Sequence, residues 1–253
     1  MGGGWCDLNH QLTQIDCVQY NMGVFMIKVE NVKVYNLARA VYSARNPMNS
    51  WDRSDSDLEK DILGENDLDL ARRLYRAGSE HRKFLRMIFA SLDITAPLYW
   101  WKEADTYKIG TVSNSCSTMH TIHKKEFELD DFSHEHLIYD AEEFEIAEYF
   151  GFGAEQTLPP PYRLGVDSTF ILHLTVKLLN AYRAKYLETK DKEYWWQLIQ
   201  LLPSSYNQRR TITMNYENAV TMIRQRTGHK LDEWADFIEV LKNLPYLKEI
   251  MGE

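Results

Sequence analysis

The sequence predicts a helix-rich α+β fold in a single domain, and three observations carry that reading. The run "RMIFASLDIT" sets Ile88, Ala90, Leu92 and Ile94 on one face and Phe89, Ser91, Asp93 and Thr95 on the other, the period-two alternation of a strand with one half-polar face. Most other periodic segments repeat with helical spacing, above all in the C-terminal third. No internal repeat and no long flexible linker divides the chain of 253 residues, which is long enough to bury a sizeable core.

Taken in order, residues 1–25 show no clear periodicity and read as an uncertain N-terminal extension. The domain proper is expected over 26–253. Ile27, Val29, Val32 and Val34 alternate imperfectly as a strand, and Leu37, Ala38, Val41 and Tyr42 follow on a helix over 35–45. "NPMNSWDRSDSD" at 46–57 is a polar loop. Residues 66–78 form a helix with an acidic first turn, later basic residues and a closing glycine. Pro97 suits the first turn of a helix through Leu98–Tyr107, in which Tyr99, Trp100 and Trp101 point in different directions and are mostly core. An acidic insertion covers about 124–166, with a helix near 139–150 and a rigid connector "TLPPPYRLGVD" at 157–167. A long helix capped by Asp167 or Ser168 runs to about 188, apolar nearly all round and therefore expected to be buried. Further helices fit 192–202, 216–227 and 232–243.

The formal net charge of −8 and pI near 5.5 exclude a general polyanion binder, so no nucleic-acid polymer is expected as partner, while a single nucleotide is compatible with local donors. Cys6, Cys17 and Cys116 form neither a disulfide framework nor a zinc motif. A reducing cytoplasm is the expected location. No apolar stretch approaches the roughly 18–20 residues of a membrane span, and no export signal is seen.

Two segments carry candidate chemistry. In "KEADTYKIGTVSNSCSTMH" (102–120), Ser113, Asn114, Ser115, Ser117 and Thr118 offer hydroxyls, an amide and open backbone N–H groups, which suit a phosphate or a carbonyl-rich ring and also suit an ordinary loop. Cys116 is either a small inert thiol, the commoner case, or a nucleophile activated beside Lys108. In "LLPSSYNQRRTITMNYENAVTMIRQRTGHKLDEW" (201–234), Arg209 and Arg210 precede a β-prone run and Asn215 stands at an N-cap position. Arg224, Arg226 and His229 then lie at the end of the following helix. Basic residues there offset the helix dipole, and arginine is also the preferred fork for phosphates and carbonyl edges; four arginines fall within 18 residues. The pairs His134/His136 and His120/His123 lack partners at ligand spacing, so no metal is expected.

These two segments resemble the flavin-dependent thymidylate synthases. The C-terminal pattern Leu202, Pro203, Arg209, Thr213, Asn215, Arg226 and His229 matches in spacing. Upstream, Ala96-Pro97 leads into a helix and then to Thr106-Tyr107-Lys108, seven residues and Cys116, where the family carries Arg-His-Arg, seven residues and Ser. The spacing is kept and the identities are replaced. The resemblance spans about 27–243 and implies a central, mainly antiparallel sheet.

It further implies reductive methylation of dUMP, with FAD relaying hydride from NADPH and methylenetetrahydrofolate supplying the carbon. Thr106, Tyr107, Lys108, Asn215 and His229 would hold the flavin. Glu103, Asn114, Ser115, Thr118, Arg209 and Arg226 would hold the pyrimidine nucleotide, Arg209 at the phosphate or sugar and Arg226 at the uracil carbonyl edge. Cys116, Ser117 and Arg226 would stand at the reacting ring. Such sites form between subunits of a homotetramer. The alternatives of the same ancestry are a flavin or nucleotide enzyme acting on another pyrimidine, and a non-catalytic nucleotide-binding protein on the same scaffold.

Overall fold

The computed structural model describes residues 26–138 and 168–252. The N-terminal extension with Cys6 and Cys17, the helix expected near 139–150 and the connector at 157–167 lie outside the described residues.

Four strands form one antiparallel sheet: β1 (Lys28–Tyr35), β2 (Phe89–Pro97), β3 (Thr111–Ser115) and β4 (Asn207–Asn215), in the order β1-β2-β4-β3. β2 and β4 pair without interruption from Phe89↔Asn215 to Pro97↔Asn207. Their alternation sends Ala90, Leu92, Ile94, Ile212 and Met214 into the core. The opposite face carries Ser91, Asp93, Thr95, Arg209, Thr211 and Thr213, all exposed or half-buried. This is the half-polar face that the sequence alternation predicts.

The helices bring the other half of the core. These are α1 (Leu37–Ser43), α2 (Glu65–Ala77), α3 (Leu98–Ala104), α7 (Tyr216–Arg226), α8 (Asp232–Lys242) and α9 (Leu247–Met251). Ala38, Val41, Ala71, Trp100, Val220, Ile223, Trp234, Phe237 and Leu241 pack in one cluster with Leu92 and Ile94. Each fully buried Leu or Ile contributes about 1.5–3 kcal/mol through area removed from water. A smaller cluster joins Ile122, Phe127 and Phe132 to Leu172, Val176 and Leu179 of α5 (Ser168–Thr189) and Leu198 of α6 (Lys192–Gln200).

Three sequence expectations are corrected. The helix after Pro97 stops at Ala104 rather than Tyr107: Asp105 closes it, and the Thr106 hydroxyl turns back to the Glu103 carbonyl. Residues 111–118 are not one loop; they are edge strand β3 followed by the short helix α4 (Thr118–Thr121), whose first turn is capped by the Ser117 hydroxyl. The long helix α5 is not buried all round, because Ile171, Leu174 and Leu178 are exposed while Leu172, Val176 and Leu179 face the second cluster.

Candidate functional site

β4 leads directly into α7, and Asn215 makes the junction: its side chain accepts the Asn218 N–H at 2.9 Å, the N-cap role its position predicts. Asn218 in turn donates to the Ile109 carbonyl at 2.7 Å and the Thr111 hydroxyl at 2.8 Å. That stitching holds the start of β3 against α7. Gly110 sits at the crossing with φ +79°, and a Cβ there would meet Asn215 Nδ2 at 2.4 Å.

The far end of α7 carries a polar cluster. Arg226 donates through Nη1 to Glu103 Oε2 at 2.8 Å and through Nε to the Tyr107 hydroxyl at 3.0 Å. Its guanidinium lies over the Trp234 ring at 4.8 Å and the Tyr107 ring at 5.5 Å. Trp234 Nε1 also donates to Glu103 Oε2, at 3.3 Å. His229 completes the group. The Leu231 N–H donates to its Nδ1 at 3.2 Å, so in the neutral ring the proton sits on Nε2, which faces Glu103 Oε2 at 3.2 Å. Arg226 Nη1, 3.1 Å from that same Nε2, is therefore a close neighbour rather than a donor to it. One carboxylate oxygen takes three donors, and Arg226 Nη2 makes no hydrogen bond among the described residues.

Beside this cluster lies a cleft of about 120 Å³ whose walls include Trp100, Trp101, Tyr107, Lys108 and Phe237. The Trp100 indole N–H is buried and has no acceptor among the described residues. Lys108 has no ion-pair partner among the described residues.

Arg209 stands elsewhere. It lies on the opposite face of the sheet, where Nη2 meets Asp93 Oδ2 at 2.8 Å and Nη1 lies 3.7 Å from Glu30. Asp93 also accepts the Thr211 hydroxyl at 2.5 Å and the Asn31 amide at 2.8 Å. Asn31 reaches it because the β-bulge in β1 places that residue at φ 53°, a conformation asparagine tolerates. The Thr211 hydroxyl first, then the Asn31 amide and the Arg209 guanidinium, hold the Asp93 carboxyl down to about 2.

The structure thus brings together Glu103, Tyr107, Arg226 and His229, with Lys108 beside Tyr107 on the cleft wall, and sets Asn215 at the opposite end of α7 and Arg209 on the other face of the sheet. Residues 113–118 do not converge on one point. Ser113 and Ser115 pair opposite the inward Ile212 and Arg210, and Asn114 opposite the outward Thr211. Thr118 opens α4, and Thr106 is spent on the Glu103 carbonyl. Cys116 is exposed, with its N–H bonded to the Arg209 carbonyl and its own carbonyl to Gln208 Nε2. It stands at the opposite end of β3 from Lys108, so that ammonium is not its neighbour. Trp234, Asp93 and Asn31 were not singled out from sequence. Only Asp93 left a signal there, a carboxylate on the polar face of an otherwise apolar strand.

No protein-family model and no curated protein matches the sequence. Solved structures do. A flavin-dependent thymidylate synthase ThyX from Helicobacter pylori, complexed with FAD and dUMP, superposes with a TM-score of 0.58 at 18% identity, covering 88% of this chain and 98% of that one. A second structure of Helicobacter pylori ThyX with FAD and dUMP gives 0.57 at 18% identity, covering 90% and 96%. The fold is that of the flavin-dependent thymidylate synthases. At this identity the likeness speaks for the scaffold, and the chemistry has to be argued from the side chains. Among the described residues no helix is long and apolar enough to cross a membrane, and no group of three or more His, Cys, Asp or Glu could hold a metal.

Proposed function

We propose that the chain binds the uracil ring of a deoxyuridine compound at the Arg226 cluster and a flavin at the adjoining cleft. The reaction this arrangement supports best is reductive methylation of that ring, dUMP being the form held by the ThyX neighbours. The observation that carries the reading is Arg226 itself: it is stacked between Tyr107 and Trp234, anchored by Glu103, and still has Nη2 to offer a carbonyl oxygen.

The residues present fit one edge of a flavin ring. The cleft beside Tyr107 has aromatic walls, including Trp100, whose buried indole N–H has no acceptor among the described residues, and an ammonium at Lys108, matching a flat ring with a carbonyl edge and a phosphate-bearing tail. The cleft is too small for a whole dinucleotide, so the rest of FAD would lie outside it. When bound, FAD would supply hydride relay from NADPH to the carbon delivered by methylenetetrahydrofolate. The chain's own part is orientation and charge: Arg226 donates to the carbonyl on which negative charge develops, and Trp234 and Tyr107 keep its guanidinium fixed. Asn215 and Asn218 hold the cleft wall by tying Gly110 and Thr111 to α7.

Arg209 and Arg226 lie on opposite faces of one sheet, so a ligand that touches both needs a second copy of the chain. A homo-oligomer, a tetramer in this reading, supplies it. A second reading, a non-catalytic pyrimidine-binding protein, draws support from Thr106, Tyr107 and Lys108, which offer one cation at three signature positions.

The test is titration of the purified protein with FAD, followed by visible absorption and by mass analysis of deoxyuridine compounds after turnover with NADPH and methylenetetrahydrofolate. Flavin binding and a product heavier by one methylene group support the enzyme. Binding without product supports the second reading, and binding of neither flavin nor any deoxyuridine compound removes both.

A further inference from the structure

The charges on the open face of the sheet determine which deoxyuridine compound the site can take. Arg209 is the residue that the resemblance puts at the phosphate or sugar, and its guanidinium is already occupied by Asp93 at 2.8 Å with Glu30 3.7 Å away. Lys28, opposite Thr95 in the next row of the sheet, is itself bonded to Glu30 at 2.8 Å. Two cations therefore face two carboxylates, and the local charge is balanced before any ligand arrives.

Asp93 is not a side chain that swings away easily. Thr211 Oγ1 and Arg209 Nη2 of β4 and Asn31 Nδ2 of β1 hold it from both neighbouring strands, and the bulge that aims Asn31 is part of the backbone. A phosphate approaching Arg209 would have to displace this carboxylate or sit against it and Glu30, and like charges held close are unfavourable. Among the described residues of the strands, Lys33 is the remaining cation of the face. It lies opposite Ser91, one row beyond Asp93, and is exposed to solvent, where a charge is well hydrated and screened. The Arg226 end is balanced too, because Glu103 neutralises Arg226.

We infer that the ligand of this site is an uncharged pyrimidine nucleoside or free base, selected against its phosphorylated form by the Asp93–Arg209–Glu30 arrangement. The inference rests on the reading of Arg226 as the uracil anchor and narrows it to a ligand without a 5′-phosphate. Hydrogen bonds to a ribose hydroxyl remain open to Asp93 and Glu30, which accept only. Asp93 and Glu30 are thus specificity residues, acting on the phosphate that they refuse.

The experiment is calorimetric titration of the full-length protein with deoxyuridine, deoxyuridine 5′-monophosphate and uracil at low and moderate salt. Deoxyuridine is expected to bind as tightly as its monophosphate or more tightly. Asp93→Asn and Glu30→Gln are each expected to shift the ratio toward the monophosphate by about tenfold, the range for one unpaired charge contact removed. Glu30 is held only from the surface, so its variant keeps the test sound should Asp93→Asn fold poorly. A monophosphate that binds the wild-type protein more than threefold tighter than the nucleoside, with Arg209→Ala abolishing the difference, overturns the inference and leaves the uracil site standing. Binding of none of the three overturns the uracil site and the inference with it.

Discussion

Arg209 and Arg226 stand on opposite faces of the same four-stranded sheet, the one bound to Asp93 at 2.8 Å and the other to Glu103 at 2.8 Å. Strand alternation dictates this: Arg209 shares the face of Asp93 and Thr211, while Arg226 ends a helix packed on the face of Ile212 and Met214. A shared ligand therefore predicts complementation. Arg209→Ala, through a contact with the sugar rather than a phosphate, and Arg226→Ala, through the ring, are each expected to weaken deoxyuridine binding, and co-refolding the two should restore a fraction of the sites in mixed oligomers, read by calorimetry on the mixture. Restoration requires each intact arginine to meet its partner across an interface; mixed samples as inactive as the parents would place the arginines in separate sites.

Glu103 has a second role in holding Arg226 in place. Replacing Glu103 by Gln keeps the shape and removes the charge opposite a guanidinium whose side chain is only 19% exposed. The expected cost is about 1 kcal/mol of stability, at the upper end for a partly exposed pair, measured as a lower denaturant midpoint with unchanged slope. Arg226→Lys should be worse for binding than Glu103→Gln, because an ammonium can neither stack between Tyr107 and Trp234 nor present a fork.

Gly110 tests the link between the cleft and α7. Gly110→Ala meets both a left-handed backbone at φ +79° and Asn215 Nδ2 at 2.4 Å from the new methyl. The combined cost is about 2–3 kcal/mol, the backbone strain plus the loss of the N-cap that Asn215 provides. Gly228 has φ +75° and nothing within 4 Å of a new Cβ. Gly228→Ala should therefore carry the strain alone, and equal midpoints for the two variants would show that the Asn215 contact contributes nothing.

Much of this architecture is legible from local pattern. The alternation through β2, the N-cap at Asn215 and the basic end of α7 are written in neighbouring residues, where period and capping chemistry act. What fails to show is non-local. β3 reads as a loop because Thr111–Ser115 is mostly small and polar; only its pairing with β4 makes it a strand. α1 starts at Leu37 because the Asp61 carboxylate, 24 residues away in the chain, accepts the Leu37 and Ala38 N–H groups. The candidate site divides the same way. Arg226 and His229 fall on one helix end and are visible as a motif, whereas Asp93, which sets the charge at Arg209, lies 116 residues from it in sequence.

Asp236 gives a pH prediction of the opposite sign to the usual carboxylate. Burial raises its carboxyl, with Glu233 and Asp232 nearby adding to the rise, against the Met26 N–H that it accepts at 2.9 Å. An acid whose folded pKa is raised holds its proton more tightly in the folded chain. Its ionisation then weakens the fold as pH climbs from the ordinary aspartate value, about 3.9, through the raised one. Asp236→Asn keeps an oxygen to accept the Met26 N–H and removes that ionisation. The variant is expected to melt at a higher temperature than the parent at pH 7, and the gap should close as pH falls toward 4, where the parent regains its proton. Thermal melts of both proteins across pH 4–7 check this, and a gap that stays constant or widens toward acid would mean that Asp236 is stabilised as the anion by the Met26 contact instead.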